Sequence, residues 1–175
     1  MDDMKLLIPL NGLAAGESKF SWHAGKEFFD SFENSEISDA DLDVSATVEK
    51  MGRKVLVGCR VEGRVTVACD RCLEDLDMPV SVDIALDVRF GEGEDCEEDG
   101  REVVFVEADG QELEMDQIVY DYVCLSLPMQ RTHRPGECNP ETVRYMGEPL
   151  SVDGVFGETE NENPFSALKG LFKAD

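Results

Sequence analysis

The chain has 175 residues, 42% of them hydrophobic, and a formal net charge of −23 from 39 acids against 16 lysines and arginines. A chain of this size buries enough apolar surface to fold as one domain without disulfide staples, and its field opposes nucleic acid and anionic membranes at long range. No stretch approaches the roughly 18 apolar residues of a membrane span, and the acidic start "MDDMKLLIPL" has no export-signal pattern, which places the chain in the cytoplasm.

From the N-terminus, residues 4–10 read as a short strand. "AGKEFFDSF" follows, whose Phe28, Phe29 and Phe32 form one helical stripe able to lie across a sheet. In "DLDVSATVEK" the residues Leu42, Val44, Ala46 and Val48 alternate with polar neighbours, the period of a half-buried strand. Gly52 marks a turn. Val55, Val57, Cys59 and Val61 then share a face; Gly63 interrupts, and Val65, Val67 and Cys69 resume. After a loop, Val80, Val82, Ile84, Leu86, Val88 and Phe90 make the cleanest alternation in the chain. The run "EGEDCEED" carries six acids in eight positions and reads as solvated surface before a late strand, "REVVFVEA". The period then changes. Ile118, Val119, Tyr122, Val123 and Leu127 form a helical stripe, with Asp116 placed to cap it and Pro128 to end it. "MQRTHRPGECNPET" reads as loop.

Successive alternating runs without intervening helices predict an α+β fold: an antiparallel β-meander or partial barrel with a few packed helices. The predicted organisation is one domain over 1–145, an acidic, glycine-rich linker over 146–162 and a helical tail over 163–175. The tail has Asn163 as cap, Pro164 at the first helical position and Phe165, Leu168, Leu171 and Phe172 as its stripe.

Six scattered cysteines in a chain with no export signal argue for free or metal-bound thiols rather than disulfides. Cys59 and Cys124 lie on apolar faces and read as core. Cys69 and Cys72 form a Cys-x-x-Cys pair at a strand end. A thiol oxidoreductase would need a helix after the pair to lower the thiol pKa, and "LEDLDMP" is too short and proline-broken to supply one. A zinc knuckle would need two more ligands. "HRPGEC" offers His133 and Cys138, so that Cys69, Cys72, His133 and Cys138 would make a closed Cys3His site for one structural zinc ion. The competing reading makes Cys69 a core residue and His133 and Cys138 incidental, and spacing alone leaves both open. No phosphate loop, His-Glu-x-x-His or nucleophile elbow is present, so no small-molecule substrate is expected.

The charge is segregated. Between residues 50 and 71 lie Lys50, Arg53, Lys54, Arg60, Arg64 and Arg71 against only Glu62 and Asp70. These six are the candidate contacts for nucleic acid or a partner. Arg131, His133, Arg134 and Arg144 form a smaller group around the second half of the candidate zinc site.

Three stretches in order, "VACDRCLEDLDMPV", "VYDYVCLSLPMQRTHRPGEC" and "NPFSALKGLFK", resemble the signatures of the YceD-like family of large-ribosomal-RNA accumulation proteins. The resemblance runs over about residues 1–172. It implies a non-enzymatic factor for synthesis, processing or stability of 23S rRNA and large-subunit assembly, acting by binding rRNA or a basic large-subunit ribosomal protein. The motif residues Cys69, Arg71, Cys72, His133 and Cys138 carry over; no catalytic residue does. The rival reading is a thiol oxidoreductase or metal-dependent enzyme using Cys69 and Cys72.

Overall fold

The computed structural model describes residues 5–145 apart from 14, 34, 53, 92, 94, 95, 99 and 108–110. Arg53, the linker and the tail therefore lie outside the described residues. The elements run β1 (Leu7–Pro9), β2 (Gly16–Gly25), α1 (Lys26–Asp30), β3 (Ile37–Met51), β4 (Lys54–Ala68), β5 (Asp75–Phe90), β6 (Cys96–Glu98), β7 (Arg101–Val106), β8 (Glu112–Glu114), α2 (Asp116–Ser126) and α3 (Pro140–Tyr145).

Four long strands form an antiparallel meander in the order β2-β3-β4-β5; the alternation predicts β3, β4 and β5, and β2 adds a strand it did not predict. The meander stops there. β7 joins β5 in parallel and β6 follows at the edge, giving a six-stranded open sheet rather than a barrel. β1 pairs separately with β8, from the other end of the described chain.

One face of the sheet is buried. Leu42, Val44, Ala46 and Val48 of β3, Val55, Val57, Cys59, Val61, Val65 and Val67 of β4, and Val80, Ile84, Leu86 and Val88 of β5 all lie in one core. Leu6, Ile8, Leu10, Leu113 and Met115 from the β1–β8 pair complete it, with Phe28 and Phe29 of α1 and Val119 and Val123 of α2. The two helices meet through aromatic rings: Phe32, just past α1, stacks on Tyr120 of α2 at 4.1 Å.

Gly63 does not interrupt its strand. β4 passes through it with φ of 149°, and a Cβ there would run into the backbone carbonyl of Asp41 on β3. The glycine keeps the inward face in phase from Val61 to Val65, since both neighbours share its parity.

Asp116 is the first residue of α2 and makes no capping bond to it; its Oδ1 accepts the Leu6 N–H at 2.7 Å. That carboxylate fastens the N-terminal strand instead. The helix ends at Ser126, with Leu127 already extended ahead of Pro128. α3 was not expected within the loop. Asn139 Oδ1 accepts the Glu141 N–H at 2.9 Å and Pro140 occupies the first helical position, an N-terminal signal in only six residues.

Candidate metal centre

β4 and β5 pair from Val55↔Val88 to Ala68↔Asp75, so the residues between them form a tight connection at one end of the sheet. Within it the Cys69 N–H donates to the Glu74 carbonyl at 2.9 Å, and the Leu73 N–H donates to the Cys69 carbonyl at 2.9 Å. Leu73 takes φ of +61°, alone in this among the described non-glycine residues. This fold-back turns both sulfurs inward: Cys69 is fully buried and Cys72 nearly so.

The chain after α2 returns to this turn. The Asp70 N–H donates to the Arg131 carbonyl at 2.7 Å, and the Arg131 N–H donates to Asp70 Oδ2 at 2.6 Å. The Arg131 guanidinium binds Glu36 Oε2 at 2.6 Å, and the Asn139 side-chain N–H donates to Glu74 Oε1, also at 2.6 Å. The loop is thus held on both sides of His133 and Cys138.

The four side chains expected to meet do meet. Their ligand atoms all lie within 4.8 Å of one another. Cys69 Sγ is 4.0 Å from Cys138 Sγ, Cys72 Sγ is 3.4 Å from His133 Nδ1, and Cys138 Sγ is 3.9 Å from the same nitrogen. A tetrahedral zinc ion with its usual bond lengths sets ligand atoms roughly 3.5–3.8 Å apart. These three separations lie close to that spacing and no pair exceeds 4.8 Å, so a small inward shift of the side chains would seat an ion.

His133 Nε2 lies 3.1 Å from the Asp75 carbonyl, which only accepts, so the proton sits on Nε2. Nδ1 is left to face the sulfurs. An outer partner of this kind fixes ring orientation and tautomer at metal-binding histidines.

The electrostatics favour a cation. Burial raises the Cys69 thiol, but the N–H groups of Cys72, His133 and Arg71 outweigh it and bring the thiol down to about 6. Bonding to the Cys69 sulfur raises His133 against the opposing effect of burial. Burial also raises Cys138, and the Cys72 and Cys69 sulfurs add to it. A divalent ion meets the same demand for positive charge among three sulfurs. A low thiol pKa also suits a redox cysteine, yet Cys69 has no exposed surface, and Cys72 is followed by a turn and β5 rather than a helix.

The other cysteines divide. Cys59 is buried in the core, and its thiol is pushed up to about 11 by that burial. Cys124 is half-buried against the core rather than within it. The side chain of Cys96 lies outside the described residues.

The five described basic candidates are not brought onto one surface. Lys50 shares its parity with the buried Val44 and Val48, and its Nζ donates to the Leu10 carbonyl at 3.3 Å. Arg60 and Arg64 project from the opposite face of β4. Arg60 is paired with Glu62 at 2.8 Å and Asp83 at 3.4 Å. Lys54 approaches Asp87 at 3.8 Å at the far end, about 45 Å along the strand from Arg71. Cross-strand register sets acids opposite two of them: Arg60 pairs with Asp83, and Arg64 stands opposite Asp41 without an ion pair, acids that a sequence window over 50–71 does not contain. Arg71 lies in the turn itself.

Among the described residues no helix is long and apolar enough to cross a membrane. No curated protein and no solved structure matches the chain. Residues 57–172 match the model of one family, described as large ribosomal RNA subunit accumulation protein YceD, and that span includes all four residues of the metal centre. The chain belongs to the YceD family.

Proposed function

We propose that this protein is a non-enzymatic factor for accumulation of large-subunit ribosomal RNA, working in the cytoplasm by binding 23S rRNA or a basic large-subunit ribosomal protein. The family match carries the ribosomal part of this reading. The site supports the non-enzymatic part, because its four side chains use up a tetrahedral coordination sphere.

The ion that best suits three thiolates and one imidazole is zinc. Held by Cys69, Cys72, His133 and Cys138, it supplies a cross-link rather than a reaction. The residues around it do the positioning: Asp75 orients His133, and Asp70 and Arg131 close the loop over the turn. The link joins residues about 60 positions apart in sequence, where loop closure is costly, and such sites contribute on the order of 10 kcal/mol to folding. The basic candidates Lys50, Arg53, Lys54, Arg60, Arg64 and Arg71 are proposed contacts, those nearest the metal centre foremost.

Affinity capture from the native organism, with RNA sequencing and mass spectrometry on one eluate, tests the reading. Enrichment of 23S rRNA or large-subunit proteins is expected. An eluate with neither overturns it.

A further inference from the structure

Most basic side chains of the described molecule are neutralised within it. Lys5, Lys19, Lys26, Lys54, Arg60, Arg89 and Arg131 each pair with a carboxylate. Five arginines make no ion pair among the described residues: Arg64 on β4, Arg101 at the start of β7, and Arg71, Arg134 and Arg144, which are all exposed. The last three sit together beside the candidate metal centre. Arg71 precedes Cys72, Arg134 follows His133, and Arg144 follows Val143, whose side chain packs on the Cys69–Cys72–Cys138 cluster. Three separate segments thus converge on one buried cluster, each carrying an uncommitted guanidinium outward.

The same tip presents Leu73. Its side chain is 75% exposed, and its backbone sits at φ of +61°, where glycine is the relaxed choice. A leucine there is unfavourable twice, in backbone strain and in apolar exposure. The turn needs that backbone conformation, which glycine would adopt without strain, and does not need a leucine side chain. Strain kept at an exposed position points to a contact made outside the molecule.

We infer that the knuckle tip is an RNA-contacting surface, in which Arg71, Arg134 and Arg144 bind phosphates of single-stranded RNA and Leu73 packs against an unstacked base. This rests on the ribosomal-RNA reading above and chooses between its two partners. Planar guanidinium groups suit phosphate oxygens, and apolar side chains beside them give unpaired bases a surface to lie on. The nearest acids are engaged but only partly neutralised: Asp70 and Glu36 share Arg131, and Glu74 accepts from the neutral Asn139 amide, which orients its carboxylate. Asp75 at the start of β5 and Glu137 and Glu141 on the returning segment remain, so few net contacts form and binding is weak and salt-sensitive.

The test is fluorescence anisotropy of a labelled mixed-sequence RNA 12-mer with full-length, metal-loaded protein across a salt series. The variant Arg71→Gln/Arg134→Gln/Arg144→Gln is compared with a control, Lys5→Gln/Lys19→Gln, at two exposed lysines paired with Glu114 and Glu17, and zinc content and unfolding midpoint are checked for both. The triple variant is expected to lose at least 10-fold in affinity at low salt, with the salt slope falling by about 2, near 0.7 for each lost single-strand contact. The control should change affinity less than 2-fold or so. Leu73→Gly should weaken binding severalfold without lowering the unfolding midpoint, a combination that a merely structural Leu73 would not produce. Equal binding by wild type and triple variant, or no binding by wild type at low salt, overturns the inference. The accumulation reading survives either result, since a basic protein partner would still support it.

Discussion

His133 commits one nitrogen to the Asp75 carbonyl and turns the other toward three sulfurs. Replacing it with alanine removes a ligand; replacing it with cysteine offers a thiolate instead. His133→Ala should therefore lose zinc to a chelator at least 100-fold more readily than wild type, with His133→Cys much closer to wild type, as read by competition with a metal-sensitive dye. Cys59 behaves differently because it serves packing. Its folded pKa of about 11 exceeds the unfolded value of 9.0, so its contribution is complete below pH 9 and is lost as pH rises toward 11. The loss should be roughly 2–3 kcal/mol, read as the difference in unfolding free energy between wild type and Cys59→Ala across that range. Gly63 makes the third residue-scale case: Gly63→Ala should cost about 3 kcal/mol or more, because the added carbon meets the Asp41 backbone and not a side chain that could turn away. An unchanged midpoint in urea would contradict that account.

At the scale of elements, the period-two pattern revealed β3, β4 and β5 because one face of each is buried and the other is not. β2 carried no such signal. Phe20 and Trp22 alternate on its inward side, but both are only half-buried at the sheet edge, and its polar residues dilute the contrast. Parallel pairing of β5 with β7 was not legible either, since register between strands depends on tertiary placement. α3 was legible in principle: Asn139-Pro140-Glu141 repeats the Asn-Pro start recognised at Asn163-Pro164. Its brevity and the prolines around it hid it. The metal centre was readable in its residue types and not in its proximity. What brings its halves together is the Asp70–Arg131 clamp, made largely of main-chain groups that no spacing rule records. Asp70→Ala should therefore weaken zinc affinity by about 10–100-fold while leaving all four ligands in place, measured by the same competition. A variant with wild-type affinity would show that the clamp is dispensable.

Over the whole molecule, a charge of −23 disguises a division of labour. Arg60 on the sheet's open face pairs with a cross-strand acid, and three exposed guanidinium groups without an ion pair among the described residues are grouped at the tip beside the candidate metal centre. Composition alone could not show this, because a pair between strands, Arg60–Asp83, adds to those along them, Arg60–Glu62 and Arg89–Asp87. The family assignment was visible in the order of its motifs, while the surface that does the binding needed the fold. The central claim is that this chain sustains large-subunit ribosomal RNA through binding, without a reaction of its own. Its most direct test is the ratio of 23S to 16S rRNA in cells of the native organism depleted of the protein. The account predicts a falling ratio with a shortage of large subunits, restored by wild type; an unchanged ratio and normal large-subunit levels after depletion would contradict it.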